Sequence, residues 1–393
     1  VFFHIDESGN TGNSLFDANQ PRLSYGLLSS KRNVDLLGDR LHRRMIDKAG
    51  VKELHANDLG VAKLTPIVPD LYTLHRKMQF EFGYYFIEKP TFALVMLFEA
   101  VFDAGLNSAV PWVSYWTPMR FLLINALHSL VDHRLLQQAW ALCTVRRQSI
   151  ARRADDIVAL LTTLDARASS RIQDARMREI IRDALAYGIK KPLELDFGTP
   201  DPNLIAPNVV CFQFVLHGIA SVRRRKGRKR PAKVTVDQQG QYNGSQEEAR
   251  WTLSSIAEGF GQARTEDRGF LLNHPMMRHL DEQAILHQGM PNVELSVADG
   301  HPPIGIQLVD VYLWVCNRVR NRQPLSPELR DLGVWLLKQA SFDGIGMDTL
   351  RMRWEQFERE LPAIHEMDSD QVRFAVKTRE DHRERVQAMN IGR

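Results

Sequence analysis

The stretch Val1-Phe2-Phe3-His4-Ile5-Asp6-Glu7-Ser8-Gly9-Asn10-Thr11-Gly12-Asn13 decides how the rest of the chain is read. Its first five residues are almost wholly apolar and aromatic, which reads as a short buried strand ending at Asp6. Glu7 to Asn13 follow as a dense turn signal. In a strand, successive side chains face opposite ways, so His4 and Asp6 share one face while Ile5 and Glu7 share the other. Asp6 and Glu7 therefore reach one ion together only if the backbone turns beside them, and Gly9 makes such a turn possible. A carboxylate at the carboxyl end of a strand stands where open α/β sheets gather their ligands.

Working outward, Leu23 to Leu28 reads as a second strand. Val34 to Ala49 has apolar residues at helical spacing and Gly50 just past its end. Met78 to Glu88 is aromatic-rich and reads as a strand, with Tyr84, Tyr85 and Phe86 as sheet core. From about Thr91 to Lys191 the pattern turns helical and carries many arginines. Val209 to Val222 is an apolar helix, Lys233 to Asp237 a β-branched strand, Gln246 to Phe260 a helix and Val293 to Val297 a strand. Ile304 to Arg320 is a strongly apolar helix, and the remainder is helical and charge-rich. The expectation is an α/β domain formed by 1–90 and 205–320, a helical insertion at 91–204 and a helical C-terminal extension at 321–393.

With 393 residues, 44% hydrophobic and 25% charged, the chain has the composition of a globular protein, which excludes a disordered or collagen-like one. Three cysteines (Cys143, Cys211, Cys316) lie in apolar stretches without CxxC spacing, which reads as reduced core thiols in a cytoplasmic protein. No run is long and apolar enough for a membrane span. Asp6 and Glu7 fall where the apolar core of a signal peptide would begin, so none is expected. There is no Walker A motif, no HExxH and no GxSxG elbow around Ser8.

Four acids stand out. Asp6 and Asp237 end strands, Glu7 adjoins Asp6, and Asp310 sits in the apolar segment Ile306-Gln307-Leu308-Val309-Asp310-Val311-Tyr312-Leu313-Trp314. Taken singly, a strand-end Asp is a turn former or a helix cap that contributes about 1 kcal/mol. Asp310 resists that reading, because a mid-helix carboxylate among apolar neighbours needs a partner, and a buried ion pair with an arginine is its plainest one. Gln307, three residues earlier, lies on the same helix face. Converging carboxylates suit hard cations such as Mg2+ or Mn2+. Two such ions can activate water and stabilise the leaving oxygen of a phosphodiester.

Asp6-Glu7-Ser8-Gly9-Asn10 at the start, with Gln307-Leu308-Val309-Asp310 late in the domain, resembles the bacterial and phage "domain of unknown function 3800" family. Glu53-Leu54-His55 is similar to that family's Glu-x-Lys/His motif, and Asp237 after Val234-Thr235-Val236 to its middle Asp. The resemblance covers about 1–90 and 205–320. It implies an RNase H-like fold, a mixed sheet with flanking helices, in which acidic residues bind two metals for nucleic-acid cleavage in a mobile-element or phage-defence setting. On that implication Asp6, Asp237 and Asp310 hold Mg2+ or Mn2+, and Glu7 joins them in catalysis. Ser8, Glu53, His55 and Gln307 support the site. One departure is Val309 where the family has Ala, which adds two methyl groups beside Asp310.

Seven of the eight residues from Arg223 to Arg230 are cationic: Arg223, Arg224, Arg225, Lys226, Arg228, Lys229 and Arg230. The whole chain carries +4, so the remainder carries −3 (4 − 7). Basicity concentrated in one loop just before the strand of Asp237 suits the phosphate backbone of DNA or RNA. Two functions follow as expectations. One is a metal-dependent nuclease or phosphodiester hydrolase; the other is a non-catalytic nucleic-acid- or partner-binding protein on a degenerate version of the same fold.

Overall fold

The computed structural model describes residues 1–9, 12–225, 233–237, 243–272, 282, 295–298 and 300–391. The chain forms two compact units. The first comprises Val1–Ile87, Ala206–Arg264 and Asp281–Gly344, and the second Glu88–Ile205, Thr265–Leu280 and Ile345–Arg393.

The first unit is built on a mixed six-stranded sheet in the order β5-β4-β1-β2-β3-β6. The strands are β1 (Phe2–Ser8), β2 (Arg22–Ser30), β3 (Glu81–Glu88), β4 (Lys233–Val236), β5 (Leu295–Val297) and β6 (Ser341–Ile345). β1 pairs antiparallel with β2, Asp6 opposite Gly26 and Glu7 opposite Tyr25. On its other side β1 runs parallel to β4, with Ile5 beside Val236, and β4 runs parallel to β5. Three parallel strands thus end at one edge of the sheet. β1 is central and buried on both faces, which is why its sequence runs apolar rather than alternating.

Helices cover both faces. Between β2 and β3 the chain forms α1 (Val34–Leu37), α2 (Asp39–Ala49), α3 (Ala56–Leu64) and α4 (Val68–Met78). α5 (Pro207–Arg225) precedes β4 and α6 (Asn243–Gln262) follows it. α7 (Ile304–Arg320) and α8 (Pro327–Gln339) complete the unit. Leu308, Val309, Tyr312, Leu313 and Cys316 of α7 join Phe82, Tyr84 and Phe86 of β3 and the apolar faces of α2, α4 and α8 in one core cluster. α7 is apolar around most of its circumference because it lies between the sheet and those helices. α5 packs on the other face, where Gly218 lets Tyr85 and Leu27 approach its backbone. Tyr84, Tyr85 and Phe86 are sheet core, and the three cysteines are buried and free.

Several elements differ from the sequence reading. The helix expected over Val34–Ala49 is two, divided at Gly38. Met78 closes α4 rather than opening β3, because Gln79 takes a left-handed conformation (φ 52°) that caps the helix. The segment from 321 onwards is not helical throughout, for Ser341-Phe342-Asp343-Gly344-Ile345 is an edge strand of the sheet. Five residues with two bulky apolar side chains and an internal Asp-Gly carry almost no strand pattern. The pairing is permitted by Gly344, where a Cβ would strike the Phe86 backbone.

The second unit is helical. Its longer helices include Lys89–Phe102, Met119–His128, His133–Cys143, Ala154–Arg171, Ala175–Lys190, Met347–Glu360 and Ser369–Ala388. Within Glu88–Ile205 the β-type pairing among described residues is an isolated bridge between Arg146 and Thr199. Buried Arg120 pairs with Glu99 and lies over the rings of Phe98 and Tyr115. No helix among the described residues is long and apolar enough to cross a membrane.

Candidate functional site

The carboxyl ends of β1 and β4 meet α7 at a pocket of about 310 Å3 in the first unit. Asp6, Glu7, Ser8, Asp237, Gln307 and Asp310 line it, together with His55. The sheet brings Asp6 and Asp237 side by side, since the Asp237 N–H donates to the Ile5 carbonyl at 3.0 Å. Asp6 faces α7, and its own carboxylate accepts from the Glu7 N–H at 2.8 Å. Gly9 then turns the chain at φ 83°, close against the Arg22 carbonyl, where no side chain would fit.

Glu7 points to the opposite face, as strand alternation requires, beside Tyr25 on β2. The Tyr25 hydroxyl donates to Asn208 of α5 and accepts from Gln246 of α6 at 3.4 Å. Glu7 Oε2 is buried and has no hydrogen-bond partner among the described residues. Asp6 and Glu7 thus approach the pocket from the two sides of β1, and Asp237 reaches it from the end of the neighbouring strand.

Asp310 accepts from the Ala56 N–H at 2.7 Å. It caps α3 from another element, because the residue in the cap position, His55, makes no side-chain cap bond. The positive end of α3 therefore faces this carboxylate. The arginine partner expected for it is not the one found. Gln307, 3% exposed, holds the same loop: its Oε1 accepts from the Leu54 N–H (2.8 Å) and His42 Nε2 (2.9 Å), and its Nε2 donates to the Pro302 carbonyl (2.8 Å). All its polar atoms are committed, so Gln307 positions the Leu54–His55 segment. Glu53 lies outside the pocket lining and pairs with His301 at 3.0 Å, while His55 pairs with Asp58 at 3.0 Å.

Acidic charges dominate the pocket, with His55 opposing them at Asp310. No lysine or arginine is among the described residues lining the pocket. Burial, then the charges of Asp310, Glu7 and Asp237, push the Asp6 carboxyl well above its usual range. Burial and Asp237 raise Glu7 to about 8. Asp310 is raised too, mainly by burial, although the Ala56 N–H opposes the shift. Asp70 of α4 is the internal contrast. It is 2% exposed, yet Arg44 and Lys48 bind it and the net effect holds it below the usual value. This unit neutralises a structural buried carboxylate with cations, whereas the pKa values of Asp6 and Glu7 in the pocket are pushed up by burial and by neighbouring acids.

Among the described residues, no three His, Cys, Asp or Glu side chains are drawn together into a finished metal cage. The donors fit a hard divalent cation by type and charge: oxygen-only, anionic, mutually repelling, with one buried oxygen lacking a partner. They do not present a preformed coordination shell.

Other residues reached the site without a sequence signal. His4 is buried against Gly305, where a Cβ would overlap its ring, and donates from Nε2 to Asp35 (3.0 Å). Asp35 also accepts from the Gly305 N–H (3.0 Å), which fixes the start of α7. Asn57 and Trp314 line the pocket and are joined by an indole hydrogen bond of 3.1 Å. Val309 is accommodated by Gly26 of β2, since a Cβ there would lie 2.6 Å from Val309 Cγ1.

The basic run divides. Arg223 is buried and Arg225 pairs with Glu81 at 2.8 Å, because α5 runs three residues past its expected end at Val222. Arg223 is thereby removed from the basic surface expected of it. The Arg224 side chain and Lys226, Arg228, Lys229 and Arg230 lie outside the described residues. Comparison of the chain with known protein families, with curated proteins and with solved structures finds no match.

Proposed function

We propose that the first unit is a divalent-cation-dependent phosphodiester hydrolase, a nuclease, with an RNase H-like sheet. The observation that carries this reading is the contrast between Asp70, neutralised by two cations, and the buried Asp6 and Glu7, raised by burial and neighbouring acids in a pocket with no lysine or arginine among its described lining residues. Strongly perturbed carboxylates in a cleft at the carboxyl edge of parallel strands are what a site awaiting a cationic ligand requires. Strand-end, middle-strand and helix positions for Asp6, Asp237 and Asp310 also accord with the family resemblance of the sequence.

Asp6, Asp237 and Asp310 would hold Mg2+ or Mn2+, which when bound supplies a Lewis acid for the phosphate and lowers the pKa of water. The chain's own residues do the rest. Hydrolysis joins a water oxygen to phosphorus, breaks one P–O ester bond and returns a proton to the departing oxygen. Glu7 Oε2 is the buried oxygen open to a water proton. Gln307 keeps the Leu54–His55 wall in place, and the cap from Asp310 to α3 keeps that carboxylate oriented. The cations from Lys226 to Arg230 supply attraction for a phosphate backbone.

The test combines cation-dependent thermal unfolding with cleavage of single- and double-stranded DNA and RNA. Mn2+ or Mg2+ at about 100 times its Kd stabilises the wild type by about 2.7 kcal/mol. Asp6→Asn, Asp237→Asn and Asp310→Asn lose both that response and cleavage while remaining folded. Undiminished cleavage in all three would refute the assignment. The second reading, a non-catalytic binding protein, draws on the structural cap that Asp310 makes to α3; it predicts strand binding with no cation response.

A further inference from the structure

We propose that α7 carries, next to the carboxylate pocket, a stacking step for an unpaired nucleic-acid strand, with Trp314 taking a base and Arg318 the phosphate beyond it. The proposal rests on the hydrolase reading above, whose substrate class it narrows to a single strand.

Asp310, Trp314 and Arg318 stand at positions i, i+4 and i+8 of one helix and so form one stripe along its surface. At about 1.5 Å of rise per residue, Trp314 lies roughly 6 Å and Arg318 roughly 12 Å from Asp310 along the axis. The stripe begins at the carboxylates and leads away from them. Trp314 is half-buried and lines the pocket. Its ring edge is pinned, because Nε1 donates to Asn57 Oδ1 at 3.1 Å. The Arg318 guanidinium lies 4.6 Å from the ring centroid. Arg318 Nε is turned to the Pro324 carbonyl (3.3 Å), and no carboxylate pairs with its guanidinium among the described residues.

A fixed indole with an uncompensated guanidinium over it is a planar, cationic platform. Every nucleobase has a π-face that stacks on such a surface, and arginine adds both stacking and phosphate attraction. In a duplex the bases are stacked on each other and hide those faces, so a platform in the pocket wall selects an unpaired strand. A purely structural cation–π pair would hold the same geometry but contribute nothing to strand affinity.

Fluorescence anisotropy of the full chain with a labelled single-stranded oligodeoxynucleotide, the same sequence as RNA, and the blunt duplex decides the matter, with EDTA present to prevent cleavage. Wild type binds the single strands more tightly than the duplex, and the DNA and RNA arms identify which sugar is preferred. Trp314→Leu weakens single-strand binding about 5- to 160-fold, the range set by loss of one stacked base, and Trp314→Phe restores part of it. Arg318→Gln lowers the slope of log affinity against log salt by about one. Both variants keep the cation-induced rise in melting temperature, which shows that they fold and that the pocket survives. Equal binding by wild type, Trp314→Leu and Arg318→Gln, or wild-type preference for the duplex, would overturn the proposal. If that happens while Asp310→Asn still abolishes the cation response, the hydrolase reading stands without it. Conversely, stacking loss in Trp314→Leu with no wild-type cation response or cleavage would support the strand site and overturn the hydrolase reading.

Discussion

Replacing Glu7 with Gln should change how stability depends on pH, and by an amount the structure supplies. Glu7 titrates at about 8 in the folded chain against 4.5 ordinarily, through burial and the neighbouring Asp237 charge. Its folded pKa is raised, so between pH 4.5 and 8 the folded state holds more protons than the unfolded one, and stability falls as pH rises through that window. The shift of 8 − 4.5 units at 1.36 kcal/mol each gives at most about 5 kcal/mol, present below pH 4.5 and lost above pH 8. At pH 7 roughly 3 kcal/mol of that has gone. Gln cannot ionise and fills nearly the same volume, so Glu7→Gln is spared the loss and also relieves Asp6, which the Glu7 charge pushes up. The assay is urea denaturation of both proteins in EDTA at pH 5, 7 and 9. The variant should gain on the wild type at each step, by several kcal/mol in total. Adding Mg2+ should close much of the gap at pH 9, because a bound cation favours the ionised carboxylates. A difference between the two proteins that stays constant from pH 5 to pH 9 would refute the claim that burial and the Asp237 charge hold this carboxyl above its ordinary range.

Three further outcomes test the supporting architecture. Gly305→Ala places a methyl group into the His4 ring and should destabilise the first unit by about 1–3 kcal/mol, read as a lowered urea midpoint; an unchanged midpoint would mean that His4 does not pack there. Gln307→Leu leaves the buried Leu54 N–H and His42 without their acceptor, which should cost about 1–3 kcal/mol and weaken the cation response because the pocket wall is released. In the second unit, Glu99→Gln removes the carboxylate paired with the buried Arg120 guanidinium, 2% exposed, and should cost about 3–5 kcal/mol, whereas replacing both residues with apolar ones should cost much less; equal losses in the single and double variants would overturn that account.

The parts of the protein whose signal is local could be read directly from the residues. Phe2, Phe3 and Ile5 put apolar side chains on both faces because β1 is central. Ile304 to Arg320 is apolar nearly all round because α7 is enclosed, and its bounds were legible to the residue. Asp6, Asp237 and Asp310 stood out as acids in apolar surroundings, and the fold brings them to one pocket. The region from 50 to 78 was not legible as α3 and α4, since Gly60 and Pro66 and Pro69 interrupt the helical pattern. Pairings between residues far apart in the chain emerged with the fold. Asp310 meets the N–H of Ala56 rather than an arginine, and Gln307 spends its amide on Leu54, His42 and Pro302. The partner of a buried polar group is set by which backbone end or side chain the fold carries past it, and residue type and spacing along the chain hold no record of that.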